Sequence, residues 1–200
     1  MHILILGSGV IGVTTAYELL KAGHEVTVID RQPEPALETS FGNAGLIAPG
    51  HSYAWTTPKL PGNLFKSLFE KKRAFRFKFQ WDPAMWYWGI QFLRQCTHKN
   101  MEVNTLRKHR LSIYSQKCFH QLVDETNISY YENNNGLIYF FRTRKSFHEG
   151  KQKLAMLEPV MKNFQLLNRT ELFQLEPALD RAQTEIFGGI YCPTDESGSC

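Results

Sequence analysis

Long apolar runs and paired cysteines are both missing from this 200-residue sequence. No apolar run approaches the roughly 20 residues that a helix needs to cross a bilayer, so no membrane-spanning helix is predicted. The four cysteines form no C-x-x-C pair, which argues against a zinc site or a thioredoxin-like motif, and we predict no metal site. The first apolar run leads into a glycine motif without a cleavage site. A signal peptide is therefore not expected, and the default location is the cytoplasm or the cytoplasmic face of a membrane.

Acidic residues are scarce in one segment of the chain. Residues 59–110 hold 12 of the 23 Lys and Arg residues but only 3 of the 19 Asp and Glu residues. The aromatic stretches FKSLF, RFKFQW and MWYWGIQF lie in the same segment. This mixture is typical of a surface that contacts a membrane or a polyanion. It is also typical of a helical layer whose basic face is solvated, and both interpretations stay open.

Hydrophobic periodicity predicts an alternation of strand and helix at the start of the chain. The stretches HILIL (2–6) and EVTVI (25–29) are predicted strands, and residues 10–22 between them are a predicted helix that ends before Gly23. The turn N-N-N-G is expected to join two later strands in a hairpin. Helices are predicted at about 62–97, 100–125, 146–157 and 170–175, and strands at 128–131, 137–141 and 186–191.

Three glycines with the spacing G-x-G-x-x-G follow the first predicted strand. Gly7 permits a tight turn, Gly9 lets a pyrophosphate approach the backbone, and Gly12 lets the helix pack closely on the strand. The N–H groups at the helix N-terminus then face the phosphates. Asp30, at the end of the second strand, is placed to accept hydrogen bonds from a ribose. The combination predicts a dinucleotide-binding βαβ unit in an α/β fold.

The glycine motif does not distinguish FAD from NAD, because both contain the ADP half that it binds. NADP is disfavoured, since Asp30 would repel a ribose 2′-phosphate. The segment after Asp30, RQPEPALETSFGNAGLIAPG, is loop-like and does not continue the alternating β/α pattern, which argues against an NAD-dependent dehydrogenase. Its small residues would let backbone amides reach a flat ring system, although an ordinary connecting loop has the same composition.

Further motifs occur in order along the whole chain: ILGSGVIGVTTAYELLKAGHEVTVIDR, ETSFGNAGLIAPG, YWGIQFLRQC, GLIYFFRT, LFQLEPAL and GGIYCPTDESGSC. Through them the chain resembles the N-terminal half of the bacterial D-amino acid dehydrogenases of the small-subunit type. These are flavoproteins of the D-amino-acid-oxidase-like group. The T-S-x-x-N-A-G loop and the closing P-x-D-x-x-G-x-C are more specific to that family than the glycine motif.

The resemblance implies FAD as the cofactor and indicates which residues hold it. Asp30 is expected on the adenosine ribose, and Arg31 beside the adenine. The first strand and the glycine turn contribute Ile3, Leu4, Ile5, Leu6, Gly7, Ser8, Gly9, Val10, Ile11 and Gly12, with the turn around the pyrophosphate. The loop residues expected near the phosphate–flavin end are Thr39, Ser40, Asn43, Ala44 and Gly45.

The implied reaction is the oxidative deamination of a D-amino acid, D-alanine in particular, to a 2-oxo acid and ammonia. The flavin accepts a hydride, and the electrons pass to a quinone or the respiratory chain. A substrate carboxylate favours an arginine partner, but the catalytic residues are left unassigned among Arg142, Arg144, His51, Tyr53 and Trp55. Two alternatives stay open: a glycine- or sarcosine-type flavin oxidase of the same group, and a non-catalytic nucleotide-binding module.

Members of this family are considerably longer, and their second half completes the FAD domain. We therefore expect a fragment with little turnover by itself, whose fold a second polypeptide could complete. Peripheral contact with the inner membrane is expected through the basic segment, and nucleic acid is not an expected partner. The expected organisation is an FAD-binding portion at 1–50 and about 98–125, a helical basic and aromatic segment at 51–97, and part of an α+β substrate domain with antiparallel strands at 126–200.

Overall fold

The computed structural model describes residues 1–67, 81–182 and 185–198. The chain divides into two compact units: unit 1 comprises Met1–Leu46, Tyr130–Glu132 and Gly198, and unit 2 comprises Ile47–Ser129 and Asn133–Ser197. The strands are β1 (His2–Leu6), β2 (Glu25–Ile29), β3 (Leu46–Ile47), β4 (Leu137–Phe141), β5 (Gln165–Asn168), β6 (Gly188–Cys192) and β7 (Glu196–Ser197). The α-helices are α1 (Val10–Lys21), α2 (Leu60–Ser67), α3 (Pro83–Arg94), α4 (His98–Thr126), α5 (Arg144–Ala155) and α6 (Arg169–Leu175), and 3₁₀ turns occur at Pro49–His51 and Pro177–Ala182.

Unit 1 is built on the parallel βαβ motif that the sequence predicts. β1 and β2 pair in register from His2 opposite Glu25 to Leu6 opposite Ile29. α1 begins directly after the glycine turn, and the chain leaves it through Gly23, whose φ of +80° is a conformation that residues with a Cβ rarely adopt. The turn and the helix thus place the end of β1 beside the start of α1.

β1 is apolar on both of its faces. Ile3 and Ile5 are half-buried, whereas Leu4 and Leu6, on the opposite face, are 57% and 80% exposed. A strand with this pattern is typical of a sheet that is covered on both sides. Unit 1 therefore exposes an apolar sheet face, that of Leu4 and Leu6. In a complete Rossmann-like sheet, further elements cover such a face.

Unit 2 contains a three-stranded antiparallel sheet in the order β4–β6–β5. In the central strand, Ile190 lies opposite Tyr139 on one side and Leu166 on the other. The buried side chains form two clusters, to which α5 contributes Leu154 and α6 contributes Leu172. The two helices thereby hold the sheet in a packed core.

The long helix α4 fixes the segment that follows β3. Its N-terminus is capped by Thr97, whose hydroxyl accepts a hydrogen bond from the Asn100 N–H. Further along, the buried Thr105 hydroxyl accepts from the Ala54 N–H at 3.1 Å, and the Lys108 ammonium donates to the Tyr53 carbonyl at 2.7 Å. His109 is also buried, with its Nδ1 3.0 Å from the Pro49 carbonyl oxygen. One face of α4 therefore holds residues 49–54 in place.

The contact division groups α4 with unit 2. The sequence analysis assigns about 98–125 to the FAD-binding portion, and that assignment, like the other domain boundaries, stays a prediction. Among the described helices none is long and apolar enough to cross a membrane. Within the same part of the chain, no group of His, Cys, Asp and Glu side chains is arranged to hold a metal ion.

The predicted hairpin around N-N-N-G is wrong. Residues 128–131 form no strand, and β4 pairs with β6 instead. Asn127 ends α4 in the left-handed conformation (φ +51°), and Tyr131 also has a positive φ (+52°), which interrupts the extended backbone that a strand needs. Asn133 forms only an isolated bridge with Ser197.

Most other predicted elements are confirmed with small shifts at their ends. The predicted helix at 62–97 corresponds to two helices, α2 and α3, and residues 68–80 between them lie outside the described residues. The sequence analysis missed β5, whose four residues QLLN are too short to show a period. It also missed the two-residue strands β3 and β7.

Candidate functional site

The glycine turn of unit 1 needs glycine at two positions, at Gly7 for its backbone conformation and at Gly12 for lack of space. Gly7 has a φ of +102°, and its N–H donates to the Ile29 carbonyl at 2.7 Å, which ties the turn to the end of β2. A Cβ on Gly12 would lie 1.9 Å from the Gly7 carbonyl oxygen, so α1 crosses directly over the turn. The close approach expected of Gly12 is confirmed, and its nearest obstacle is the backbone of Gly7 rather than the strand.

Asp30 joins the end of β2 to the glycine turn. Its Oδ2 accepts hydrogen bonds from the Ser8 N–H at 2.5 Å and the Ser8 hydroxyl at 2.8 Å, and its Oδ1 accepts from the Gln32 N–H at 2.8 Å. The bond from Gln32, followed by those from Ser8, lowers the pKa of Asp30 to about 2. Asp30 is thus an anion at neutral pH, and it also orders the turn, a role that the sequence analysis did not foresee.

A cleft of about 570 Å³ opens between the turn, the end of β2 and the following loop of unit 1. It brings together seven candidate residues: Leu6, Gly7, Gly9, Asp30, Arg31, Thr39 and Ser40. It is also lined by residues that the sequence analysis did not name: Ile29, Gln32, Ala36, Leu37 and Glu38. Ten candidates are not among the described residues that line the cleft: Ile3, Leu4, Ile5, Ser8, Val10, Ile11, Gly12, Asn43, Ala44 and Gly45.

Ser40 brings the loop back to the N-terminus of α1. Its hydroxyl oxygen accepts a hydrogen bond from the Val10 N–H at 2.9 Å, and it lies 3.1 Å from the position that a Cβ on Gly9 would take. The hydroxyl therefore caps a helix end whose partial positive charge favours anions. This placement brings the loop of small residues to the turn, as the family resemblance implies.

The rest of that loop is shaped by Asn43 and Gly45. The Asn43 side chain accepts from the Gly45 N–H at 2.6 Å and donates to the Ser40 carbonyl at 2.5 Å. Gly45 has a φ of +60°, and a Cβ there would lie 1.8 Å from the Gly198 carbonyl oxygen, while the Gly198 N–H donates to the Gly45 carbonyl at 2.8 Å. Asn43 and Gly45 thus set the loop conformation from outside the cleft.

Arg31 and Glu38 form a two-bond ion pair at the edge of the cleft. Arg31 Nε and Nη2 each donate to a Glu38 oxygen at 2.5 Å, and the Gln32 amide adds a bond at 3.0 Å. Arg31 lowers the pKa of Glu38. The sequence contains one indication of this pair, since Glu38 carries the opposite charge and follows Arg31 by seven residues in the same loop. Because the pair is exposed, we expect it to shape the cleft edge more than to stabilise the fold.

The residues of this cleft fit an ADP-containing cofactor. The glycine turn forms a cradle that opens into the cleft at Gly7 and Gly9, and α1 begins directly beside it. The anionic Asp30 stands at the carboxyl end of β2, where a ribose hydroxyl could reach its remaining acceptor capacity. These features support a dinucleotide and do not select between FAD and NAD.

The candidate residues for substrate binding are not gathered in one place. His51 and Tyr53 line a separate cavity of about 470 Å³ within unit 2, and Trp55 is exposed. Arg142 and Arg144 are also exposed, at the start of α5. Neither arginine lines the cavity of His51 and Tyr53 within the described part of the chain.

Beneath that cavity, a fully buried carboxylate joins three distant segments. Asp195 accepts from the Gly50 N–H at 2.7 Å and from the Tyr139 hydroxyl at 2.7 Å. Burial raises the pKa of Asp195 in spite of these hydrogen bonds. Nothing in the local sequence distinguishes Asp195 from other aspartates in turns, so it was not predicted.

Cys192 lies beside Asp195 and should be chemically inert in the folded protein. It is 1% exposed, and burial, followed by the charge of Asp195, raises its pKa to about 12. Since the thiolate is the reactive form, we expect a variant with Cys192 as its sole cysteine to react with a disulfide reagent at pH 8 only after denaturation. A matched variant with the half-buried Cys118 as its sole cysteine should react faster. Rapid labelling of native Cys192 would contradict its burial.

Comparison with known proteins matches the whole chain to flavoproteins. The D-amino acid dehydrogenases of Agrobacterium fabrum and Bradyrhizobium diazoefficiens are each 42% identical over 200 residues, which is 100% of this chain and 48% of theirs. This chain therefore spans about half the length of the curated relatives it matches. Homology to proteins of this name confirms the resemblance that the sequence motifs indicate.

Solved structures confirm the Rossmann-like α/β fold. Glycine oxidase from Geobacillus kaustophilus superposes with a TM-score of 0.58 at 19% identity, covering 98% of this chain and 40% of that protein. Iminodiacetate oxidase from Chelativorans sp. BNC1 gives a TM-score of 0.57 at 17% identity, covering 99% and 40%. The family model described as FAD-dependent oxidoreductase matches residues 2–198. The chain thus belongs to this family of FAD-dependent oxidoreductases.

Proposed function

We propose that this chain is the FAD-binding N-terminal part of a D-amino acid dehydrogenase and that FAD lies in the cleft of unit 1. The proposal rests on one observation above all: a glycine turn that Gly12 keeps tight and that is bonded to the carboxylate of Asp30 occurs in a chain 42% identical to D-amino acid dehydrogenases throughout its length. The fold and the family are compatible with FAD, and the geometry accommodates its ADP half.

In this proposal each side of the cleft holds one part of the cofactor. The pyrophosphate lies at the N-terminus of α1, whose partial positive charge attracts it, and Asp30 binds the adenosine ribose. The ion pair of Arg31 and Glu38 borders the adenine, and Thr39 and Ser40 lie toward the phosphates. When bound, FAD supplies the acceptor for the substrate hydride, and the residues of this chain supply its position.

The substrate is a D-amino acid, D-alanine in particular, which is oxidised to a 2-oxo acid and ammonia. A quinone or another respiratory carrier takes the electrons. The matched relatives are about twice as long as this sequence, so their activity belongs to more chain than these 200 residues contain. A second polypeptide equivalent to the remainder of such a relative is the proposed partner that completes the fold.

The first test is a titration of the purified chain with FAD, followed by flavin fluorescence and the visible spectrum. We expect saturable binding that ADP competes for and that an equal concentration of NAD displaces poorly. Asp30→Ala should weaken binding about tenfold, because a charge-assisted hydrogen bond to ribose is lost. Asp124→Ala, a change of an exposed carboxylate on α4, is the matched control and should leave the affinity unchanged. Failure to bind FAD would contradict the proposal.

Reaction class is tested by adding the C-terminal half of the Agrobacterium fabrum relative as a separate polypeptide. Dye reduction dependent on D-alanine is expected from the mixture and not from the 200-residue chain alone. Hydrogen peroxide formed from glycine or sarcosine would instead favour the oxidase alternative. Binding of ADP-ribose as tight as that of FAD, with no turnover in the mixture, would favour a non-catalytic nucleotide-binding module.

Helix α3 supports a proposed contact with the cytoplasmic face of the inner membrane. It exposes large apolar and aromatic side chains, among them Tyr87 at 67% and Trp88 at 63%. Its basic neighbours in the sequence, residues 59–110, carry 12 Lys and Arg residues. Aromatic rings settle at the bilayer interface, and positive charges are attracted to anionic lipids.

Sedimentation with vesicles of anionic phospholipid is expected at low salt and should decrease as salt is raised. Trp88→Ser should reduce the bound fraction several-fold, about the effect of losing one interfacial aromatic anchor. Phe41→Ser changes an exposed aromatic residue of unit 1 and serves as the control. Equal sedimentation of the two variants would show that α3 is not the contact surface.

A further inference from the structure

The cavity of unit 2 contains an aromatic corner. The rings of His51 and Tyr139 are stacked, with centroids 4.8 Å apart and planes 13° from parallel. Tyr53 stands edge-on to His51, at 5.4 Å and 80°. Aromatic pairs prefer these stacked and perpendicular arrangements. A planar aromatic molecule can make the same two contacts here: it can stack on the His51–Tyr139 pair and meet Tyr53 edge-on.

Buried Asp195 holds this corner rigid. One carboxylate oxygen binds the Tyr139 hydroxyl and the other binds the N–H of Gly50, the residue before His51. A Cβ on Gly50 would lie 2.8 Å from the Asp195 carboxylate, so the backbone rests directly against it. Because the carboxylate is fully buried, water does not compete for these bonds. A wall fixed in advance costs a ligand little ordering entropy.

The rim of the cavity carries one charge of each sign on α5. Glu149 and Lys153 are one turn apart on α5, and both line the cavity. Glu149 is paired with Lys59 at 2.9 Å, whereas the described residues give Lys153 no ion pair. Burial and the charge of Lys153 lower the pKa of His51, so its ring is neutral at neutral pH. The hydrogen bond from Lys59 lowers the pKa of Glu149, and the charge of Lys153, one turn away, lowers it further. Lys153 is therefore the cation of this rim that an anionic ligand would meet.

The cavity is also large enough for a small molecule. Its volume is about 470 Å³, and Leu154 and Ile190 of the buried core form part of its lining. Cavities that bind small molecules combine such apolar walls with a few placed polar groups. An aromatic corner, an apolar base and one lysine together suit a planar ring that carries a single negative charge.

We infer that this cavity binds a flat aromatic carboxylate, with its ring against His51 and Tyr53 and its carboxylate on Lys153. The ring would stack on the outer surface of the aromatic corner, and the ammonium would form a charge-assisted hydrogen bond. This site lies within unit 2 and does not depend on the proposed binding of FAD to unit 1.

Isothermal titration calorimetry of the full chain with indole-3-acetate tests the inference, and 3-methylindole is the uncharged comparison of similar shape. We expect saturable 1:1 binding of indole-3-acetate and affinity at least about tenfold weaker for 3-methylindole, since a charged hydrogen bond is missing. Lys153→Gln should weaken indole-3-acetate about tenfold, and Lys153→Arg should largely restore it. His51→Ala should weaken both compounds, because both lose the stacked wall.

Lys151→Gln is the matched control. Lys151 is an exposed lysine on the same helix, and it does not line the cavity. Its loss should leave the affinity for indole-3-acetate unchanged, because an exposed charge outside the site contributes little. Equal weakening by Lys151→Gln and Lys153→Gln would show diffuse attraction to α5 and overturn the site. Absence of saturable binding, or equal affinity for 3-methylindole, would overturn it as well.

Discussion

Gly12→Ala is expected to disrupt unit 1 and to abolish the proposed binding of FAD. The added Cβ would lie 1.9 Å from the Gly7 carbonyl oxygen and 2.9 Å from the Gly7 carbonyl carbon. Neither atom can move aside as a flexible side chain would, because the Gly7 N–H is bonded to the end of β2. The cost should reach about 3 kcal/mol, the upper end of the range for overpacking. Relief of the clash requires α1 to shift away from the turn, which removes the phosphate cradle.

Two measurements separate these effects for Gly12→Ala. Urea denaturation reports the loss of stability, and the FAD titration reports the loss of the cradle. Gly42→Ala is the matched control in the same unit, because a Cβ on Gly42 would meet no atom within 4 Å. We expect the control to bind FAD like the unaltered chain. An unaltered FAD affinity in Gly12→Ala would show that the cofactor does not bind at this turn.

Asp195→Ala is expected to cause the largest loss of stability in unit 2. It leaves the Tyr139 hydroxyl and the Gly50 N–H without their partner in the interior. Each unsatisfied buried group costs about 1–3 kcal/mol, so we expect a total loss of about 2–6 kcal/mol. Asp195→Asn should lose less, because its amide oxygen can still accept one of the two bonds. Urea denaturation monitored by circular dichroism measures both, with the exposed Asp124→Asn as the control.

The pH dependence of stability provides a second test of Asp195. Burial raises the pKa of Asp195 in the folded protein, so the folded state favours its protonated form more than the unfolded state does. Its linked contribution is fully present below the ordinary pKa of aspartate and is lost as pH rises through the higher folded value. Asp195→Asn should remove this component. An unchanged pH profile in the variant would show that the carboxylate is not desolvated.

The parts of the fold that were predictable from sequence depend on neighbours in the chain. The βαβ motif is complete within residues 2–29, so its glycine spacing, helix period and apolar strands all lie in one short window. Asp30 was identifiable for the same reason, since its position at the end of β2 follows from the motif. The positive φ of Gly7 is likewise a local requirement of the turn.

The parts that were missed depend on residues far apart in the chain. Asp195 meets Gly50 across 145 positions, and no local pattern marks either residue as a partner of the other. The false hairpin shows the same limit. Residues 128–131 have the composition of a strand, but β4 pairs with the distant β6 instead. This pairing packs Tyr139 and Phe141 of β4 against the core of unit 2. Tertiary packing therefore determines both the pairing of β4 and the contacts of Asp195 behind the cavity wall.

The hydrogen bond between Gly45 and Gly198 limits how early unit 1 can fold completely during synthesis. Unit 1 draws its residues from three separate stretches of chain, and the loop that carries Ser40 is anchored when Gly198 reaches Gly45. When residue 46 has been translated, the whole βαβ motif has been synthesised, but the chain is still 152 residues short of that anchor. Contacts between such distant residues form slowly, since a long loop must close first. The nascent protein therefore contains its glycine turn long before residue 198 is available to fix the adjoining loop.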